Sequence, residues 1–115
     1  MGVIQIIATS FFSRYNGPKG VSIVLYSPRY WNGQEYKRLA PPLSLFNAYI
    51  RKEIDESGYT NNYIELVLKK LDPYKVFMDL DNHILLGNVG YNKFCHRHIV
   101  AKWLEDALNL SIYEL

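Results

Sequence analysis

The sequence predicts an α/β domain: a small, open, mainly parallel, Rossmann-like sheet of three or four strands flanked by helices. Three observations lead there. Short apolar runs at residues 3–8, 21–26 and 83–87 read as strands, and they are near-continuous rather than alternating, which suits a sheet covered on both faces. Segments with helical spacing lie between the second and third of them, and strands first and last with helices between favour an open parallel sheet. A chain of 115 residues is one domain, spanning 1–115, with enough length to bury a core without disulfides or metals.

Each element has its own signal. Val3-Ile4-Gln5-Ile6-Ile7-Ala8, ending at Thr9-Ser10, reads as a buried strand. It is too short for a transmembrane helix and wrongly flanked for a signal peptide. Asn16-Gly17-Pro18-Lys19-Gly20 is a turn, and a second strand covers 21–26. Residues 27–42 show no period and are punctuated by Pro28, Gly33, Pro41 and Pro42; irregular stretches of this length are often functional. Leu43, Phe46, Ile50 and Ile54 then fall at helical spacing, with Ser57-Gly58 as the expected break and Thr60 as the cap of the next helix. In that helix Tyr59 and Tyr63 share a face. Asp72-Pro73 is an N-cap followed by proline at the first helical position. After the third strand, 88–93 form a loop, a last helix covers about 94–108, and 110–113 would be a fourth, edge strand.

Composition excludes some functions. The net charge of +2 and pI near 8.6 are too mild for duplex DNA but compatible with a small anion. Ten tyrosines suit either a stacking surface or the rim of a small core. The single cysteine, Cys95, rules out an intrachain disulfide and fits a reducing compartment, hence a cytoplasmic protein. No cofactor and no membrane partner are expected, and the oligomeric state is left open.

The most site-like segment runs from Gly87 and Asn88 to Cys95-His96-Arg97-His98. Helix-start N–H groups and the macrodipole together favour an anion. Arg97 adds a planar fork suited to phosphate. A thiol at a helix start beside imidazolium or guanidinium has a lowered pKa. Against this stand bland readings: Cys95 as a small buried hydrophobe, and His96 and Arg97 as solvated or ion-paired. Cys95 and His98 share a helical face, but one Cys and three His make a thin zinc set. Upstream, Arg29, Tyr30, Trp31 and Tyr36 interleave charge with aromatic surface, as single-strand and nucleotide binders do, or form a lid packed on the core.

The chain resembles the bacterial domain-of-unknown-function family 488 along nearly its whole length. The pieces are Ala8-Thr9-Ser10, Gly20-Val21-Ser22-Ile23, Pro28-Arg29-Tyr30-Trp31, Tyr36-Lys37-Arg38-Leu39-Ala40-Pro41, Tyr59-Thr60 with Tyr63, Leu71-Asp72-Pro73, and Phe94-Cys95-His96-Arg97-His98 leading into Ala101-Lys102-Trp103-Leu104. The resemblance implies an α/β fold with the Cys-His-Arg turn facing a pocket, and no settled activity. Where that family usually reads Cys, an aromatic and an acid, this chain holds Gly87, Asn88 and Val89. The missing carboxylate puts catalysis in doubt and leaves anion binding intact.

Three functions compete. The first is binding, sensing or sequestering a small anionic, nucleotide-like ligand. Arg97 would hold phosphate, Arg29, Tyr30 and Trp31 a base, and Ser10, Tyr36, Tyr59, Tyr63, Gly87 and Asn88 would complete the site. The second is a hydrolase or transferase with Cys95 as nucleophile and His96 or His98 as base. The third is a protein-interaction or single-stranded nucleic-acid module. Arg97 is expected to outweigh Cys95: without a loop carboxylate Cys95 relies on His96 or His98, which cannot both point where it points because neighbours on a helix are about 100° apart, whereas Arg97 needs no such partner.

Overall fold

The computed structural model describes residues 7–90 and 93–115. Four strands, β1 (Ala8–Phe11), β2 (Gly20–Ser22), β3 (Gln34–Glu35) and β4 (Ile84–Gly87), form one open sheet in the order β1-β4-β2-β3. Every pairing is parallel. Four helices flank it: α1 (Leu43–Ile50), α2 (Glu56–Leu66), α3 (Pro73–Leu80) and α4 (His96–Leu108). The last strand to appear in the chain slots between the first two, with Leu85 opposite both Thr9 and Val21.

Alternation along β4 divides the interior. Leu85 joins Val21, Ile23, Val100 and Leu104 in the main core under the helices. Leu86 points the other way, into a smaller cluster with Phe12 and Val24, against which Trp31 packs. Phe12 and Trp31 meet edge to face at 5.3 Å. Both faces of the sheet are therefore covered, which is why its strands read as apolar runs.

Several boundaries differ from the sequence reading. The first strand lies at Ala8–Phe11, beyond most of the 3–8 run, whose residues 3–6 fall outside the described ones. The second stops at Ser22 rather than Tyr26, because Ser22 Oγ and Ser27 Oγ bond to each other at 2.6 Å and fold the chain back. The stretch 27–42 is not wholly irregular. It contains β3, two exposed polar residues with no hydrophobic signal, followed by a 3-10 turn at Lys37–Leu39. Ser57-Gly58 does not break a helix. Lys52, at φ 60°, marks the end of α1, and Asp55 caps α2 by accepting the Gly58 N–H. Thr60 is inside α2 and bonds the Glu56 carbonyl. Asp72-Pro73 starts α3 as expected, with the Asp72 carboxylate accepting from the Tyr74 N–H. The tail reaches the outer edge of β1, but through a single bridge between Thr9 and Glu114 rather than a strand over 110–113. Among the described residues no helix is long and apolar enough to cross a membrane.

Candidate active site

Cys95 occupies the N-cap of α4 in an extended conformation, φ −155°. It is therefore not part of the helix, and the 100° separation expected of helical neighbours does not apply to it. His96, the next residue, turns its Nδ1 to 3.9 Å from the Cys95 sulfur. The other ring nitrogen, Nε2, lies 2.6 Å from the Ile23 carbonyl just past the end of β2. A carbonyl only accepts, so Nε2 carries the proton and a neutral ring leaves Nδ1 free as a base. Thiol, imidazole and backbone carbonyl thus lie in series, the order in which a nucleophile, a base and an orienting group are arranged in thiol chemistry. The Tyr63 ring packs against the imidazole, centroids 5.5 Å apart, and fixes its plane.

The sulfur needs room, and Gly87 supplies it. A Cβ at Gly87 would lie 2.5 Å from Cys95 Sγ and 2.9 Å from Arg97 Nη1. The end of β4 thus approaches the thiol so closely that no side chain fits between. Burial pushes the Cys95 thiol up. The hydrogen bond and charge of His96, then the amide and guanidinium of Arg97, outweigh that and hold it below the usual thiol range.

Cys95 and His96 form one wall of a cavity of about 170 Å³. Its other walls are aromatic and aliphatic: Phe46, Tyr49 and Ile50 from α1, Tyr59 from α2, Phe94 before α4, and Val24, Leu25, Tyr26 and Pro41 from the long connection. Tyr49, Tyr59 and Phe94 touch one another at 5.3–5.4 Å between centroids. Asn88 and Val89 close the side next to β4.

Arg97 is turned away from this cavity. It is completely buried and makes four hydrogen bonds. Nε and Nη2 grip the Glu114 carboxylate in a fork at 2.8 and 2.9 Å. Nη1 and Nη2 donate to the Val89 and Gly90 carbonyls at 2.8 and 3.2 Å. The fork expected to receive phosphate receives an anion from the chain's own tail. Thr9 Oγ1 donates to the same carboxylate and His98 Nε2 lies 3.0 Å from it. Hydrogen bonding from Arg97 is the main reason the Glu114 carboxyl is held down at about 2.

The remaining expected residues scatter. Arg29 and Tyr30 are exposed, and neither lines the cavity. Trp31 covers the opposite face of the sheet and donates to the Gln34 carbonyl. Tyr36 ties the long connection to α3 by donating to Asp79. Tyr59 and Tyr63 do share a face and stack with rings 7° apart, but only Tyr59 lines the cavity. The Tyr63 hydroxyl donates to the Leu39 carbonyl. Ser10 is fully buried with its Oγ unbonded, within β1 and away from the cavity lining. Sequence reasoning missed Glu114, Phe46, Tyr49 and the Ile23 carbonyl, none of which carries a local motif. Among the described residues no three His, Cys, Asp or Glu side chains are grouped to hold a metal. No family model, no curated protein and no solved structure matches the chain.

Proposed function

We propose that this protein is a thiol-dependent hydrolase or acyl transferase that works on a small, largely apolar molecule. The observation that carries this reading is the series Cys95 Sγ, His96 Nδ1, His96 Nε2, Ile23 carbonyl, opening on an aromatic cavity. The 3.9 Å separation between sulfur and nitrogen is long, as catalytic bonds often are before substrate tightens them. In the reaction the thiol proton passes to His96 Nδ1 as the sulfur bonds to an acyl carbon. The leaving group departs with that proton, leaving a thioester on Cys95. Water, or another acceptor, then releases the acyl group and restores the thiol.

A nucleotide-like anion fits this geometry less well. The walls are apolar, and Arg97 is committed to Glu114 and to two carbonyls. The test is hydrolysis of p-nitrophenyl acetate by the purified protein. Cys95→Ser is expected to lose turnover by about a thousandfold or more, as nucleophile removal does elsewhere. Turnover that survives Cys95→Ser would rule the reading out.

A further inference from the structure

The Tyr59 side chain is about 95% buried, being 5% exposed, and it lines the cavity, yet its hydroxyl bonds to no described residue. Buried tyrosine hydroxyls ordinarily find a partner, as the neighbouring Tyr63 does at the Leu39 carbonyl. Among the described residues, the side-chain oxygens both sealed from solvent and unbonded are Ser10 Oγ and Asp81 Oδ1. The Tyr59 hydroxyl is not one of them, and Tyr59 is a lining residue of the cavity. It is a donor with no described partner beside a chamber whose walls are mostly apolar.

We propose that the cavity takes a neutral carbonyl compound built on a single ring or a short acyl chain, and that the Tyr59 hydroxyl donates a hydrogen bond to its carbonyl oxygen. This rests on the thiol-dependent reading and names its substrate class. Volume sets the size. A cavity of about 150 Å³ lined by apolar side chains accepts benzene, so about 170 Å³ holds one ring with a small carbonyl substituent. Polarity sets the chemistry. Aromatic walls from Tyr49, Phe46 and Phe94 desolvate whatever enters, and a charged ligand would lose its hydration with no cation in return. A neutral carbonyl asks for one donor, and Tyr59 has one to give. Burial first, then the nearby Cys95 and Tyr49, keep the Tyr59 hydroxyl protonated far above neutral pH, so it remains a donor while Cys95 ionises.

Benzamide is the probe, since it carries the ring and carbonyl but does not acylate the thiol. Its affinity is measured by NMR titration of wild type, Tyr59→Phe, Tyr63→Phe and Tyr30→Ala, with toluene and adenosine monophosphate as comparison ligands. Wild type and Tyr30→Ala, an exposed position outside the cavity lining, are expected to bind benzamide alike. Tyr59→Phe should bind about tenfold more weakly, at an unchanged melting temperature, because no protein bond is lost. Tyr63→Phe should instead lower the melting temperature. Equal benzamide affinity in wild type and Tyr59→Phe would overturn the proposal, as would toluene or adenosine monophosphate binding as tightly as benzamide. Iodoacetamide labelling of Cys95 in the same samples separates the two claims. Normal activated labelling with no benzamide binding defeats the substrate class alone, and ordinary thiol reactivity with Tyr59-dependent binding defeats the thiol reading alone.

Discussion

The start of α4 has two sides, and they differ in how completely their polar groups are satisfied. On the tail side, Arg97, Glu114, Thr9 and His98 form a closed network in which the buried guanidinium makes four hydrogen bonds. On the cavity side, Cys95, His96 and Tyr59 face a mostly apolar chamber, with the Tyr59 hydroxyl bonded to no described residue. The permanently charged residue of the Cys-His-Arg turn is thus paired within the fold, and Cys95 and His96 are the members of the turn that line the cavity. A charge that is fully paired holds the fold. A donor or acceptor kept unsatisfied inside the protein is available to a ligand.

This contrast is broken most severely on the tail side. Glu114→Gln removes a carboxylate from a buried guanidinium and is expected to destabilise the fold by about 3 kcal/mol, read as a shift in the urea midpoint at unchanged slope. Acid should produce the same loss gradually. The Glu114 carboxyl titrates at about 2 in the folded protein against an ordinary 4.5, so the native state binds fewer protons than the unfolded one between those values. Its stabilisation is complete above pH 4.5 and declines as pH falls towards 2. Wild type should lose stability in that window more steeply than Glu114→Gln.

A smaller effect is expected where the two sides meet. Gly87→Ala drives a methyl into Cys95 Sγ and Arg97 Nη1 together, and should cost about 1–3 kcal/mol by overpacking while suppressing thiol reactivity. The smallest effect belongs to the exposed part of the long connection. Tyr30→Ala and Arg29→Ala touch neither side and should change stability by no more than about 0.5 kcal/mol, with ester hydrolysis unaltered. A large loss of hydrolysis in either variant would move the site towards that connection.

The sequence carried local features well and long-range ones poorly. Asp72-Pro73 announced α3, because a cap and a fixed φ act within a few residues. The β4–loop–α4 unit was equally legible from its apolar run, glycine and helical period. β3 was not, since two exposed polar residues join a sheet only because Ser22 is there to pair with Glu35. Nor was the partner of Arg97. Glu114 lies 17 residues downstream on a segment with no period, and only the fold brings the two together. The cavity assembles Phe46 and Tyr49, Tyr59, and Phe94 from three places whose sequence signal is ordinary core. The expectation that His96 and His98 cannot both serve Cys95 assumed helical geometry at all three residues, whereas Cys95 is an N-cap in extended conformation.

The most direct test of the account uses the fact that Cys95 is the only cysteine in the chain. Its alkylation by iodoacetamide, followed against pH, reports the thiolate alone. The account predicts a midpoint below the ordinary thiol value of 9.0 in wild type, and a midpoint raised towards or beyond it in His96→Gln, which keeps side-chain bulk but removes the basic nitrogen. A wild-type midpoint at or above 9.0, or one that does not move in His96→Gln, would contradict it.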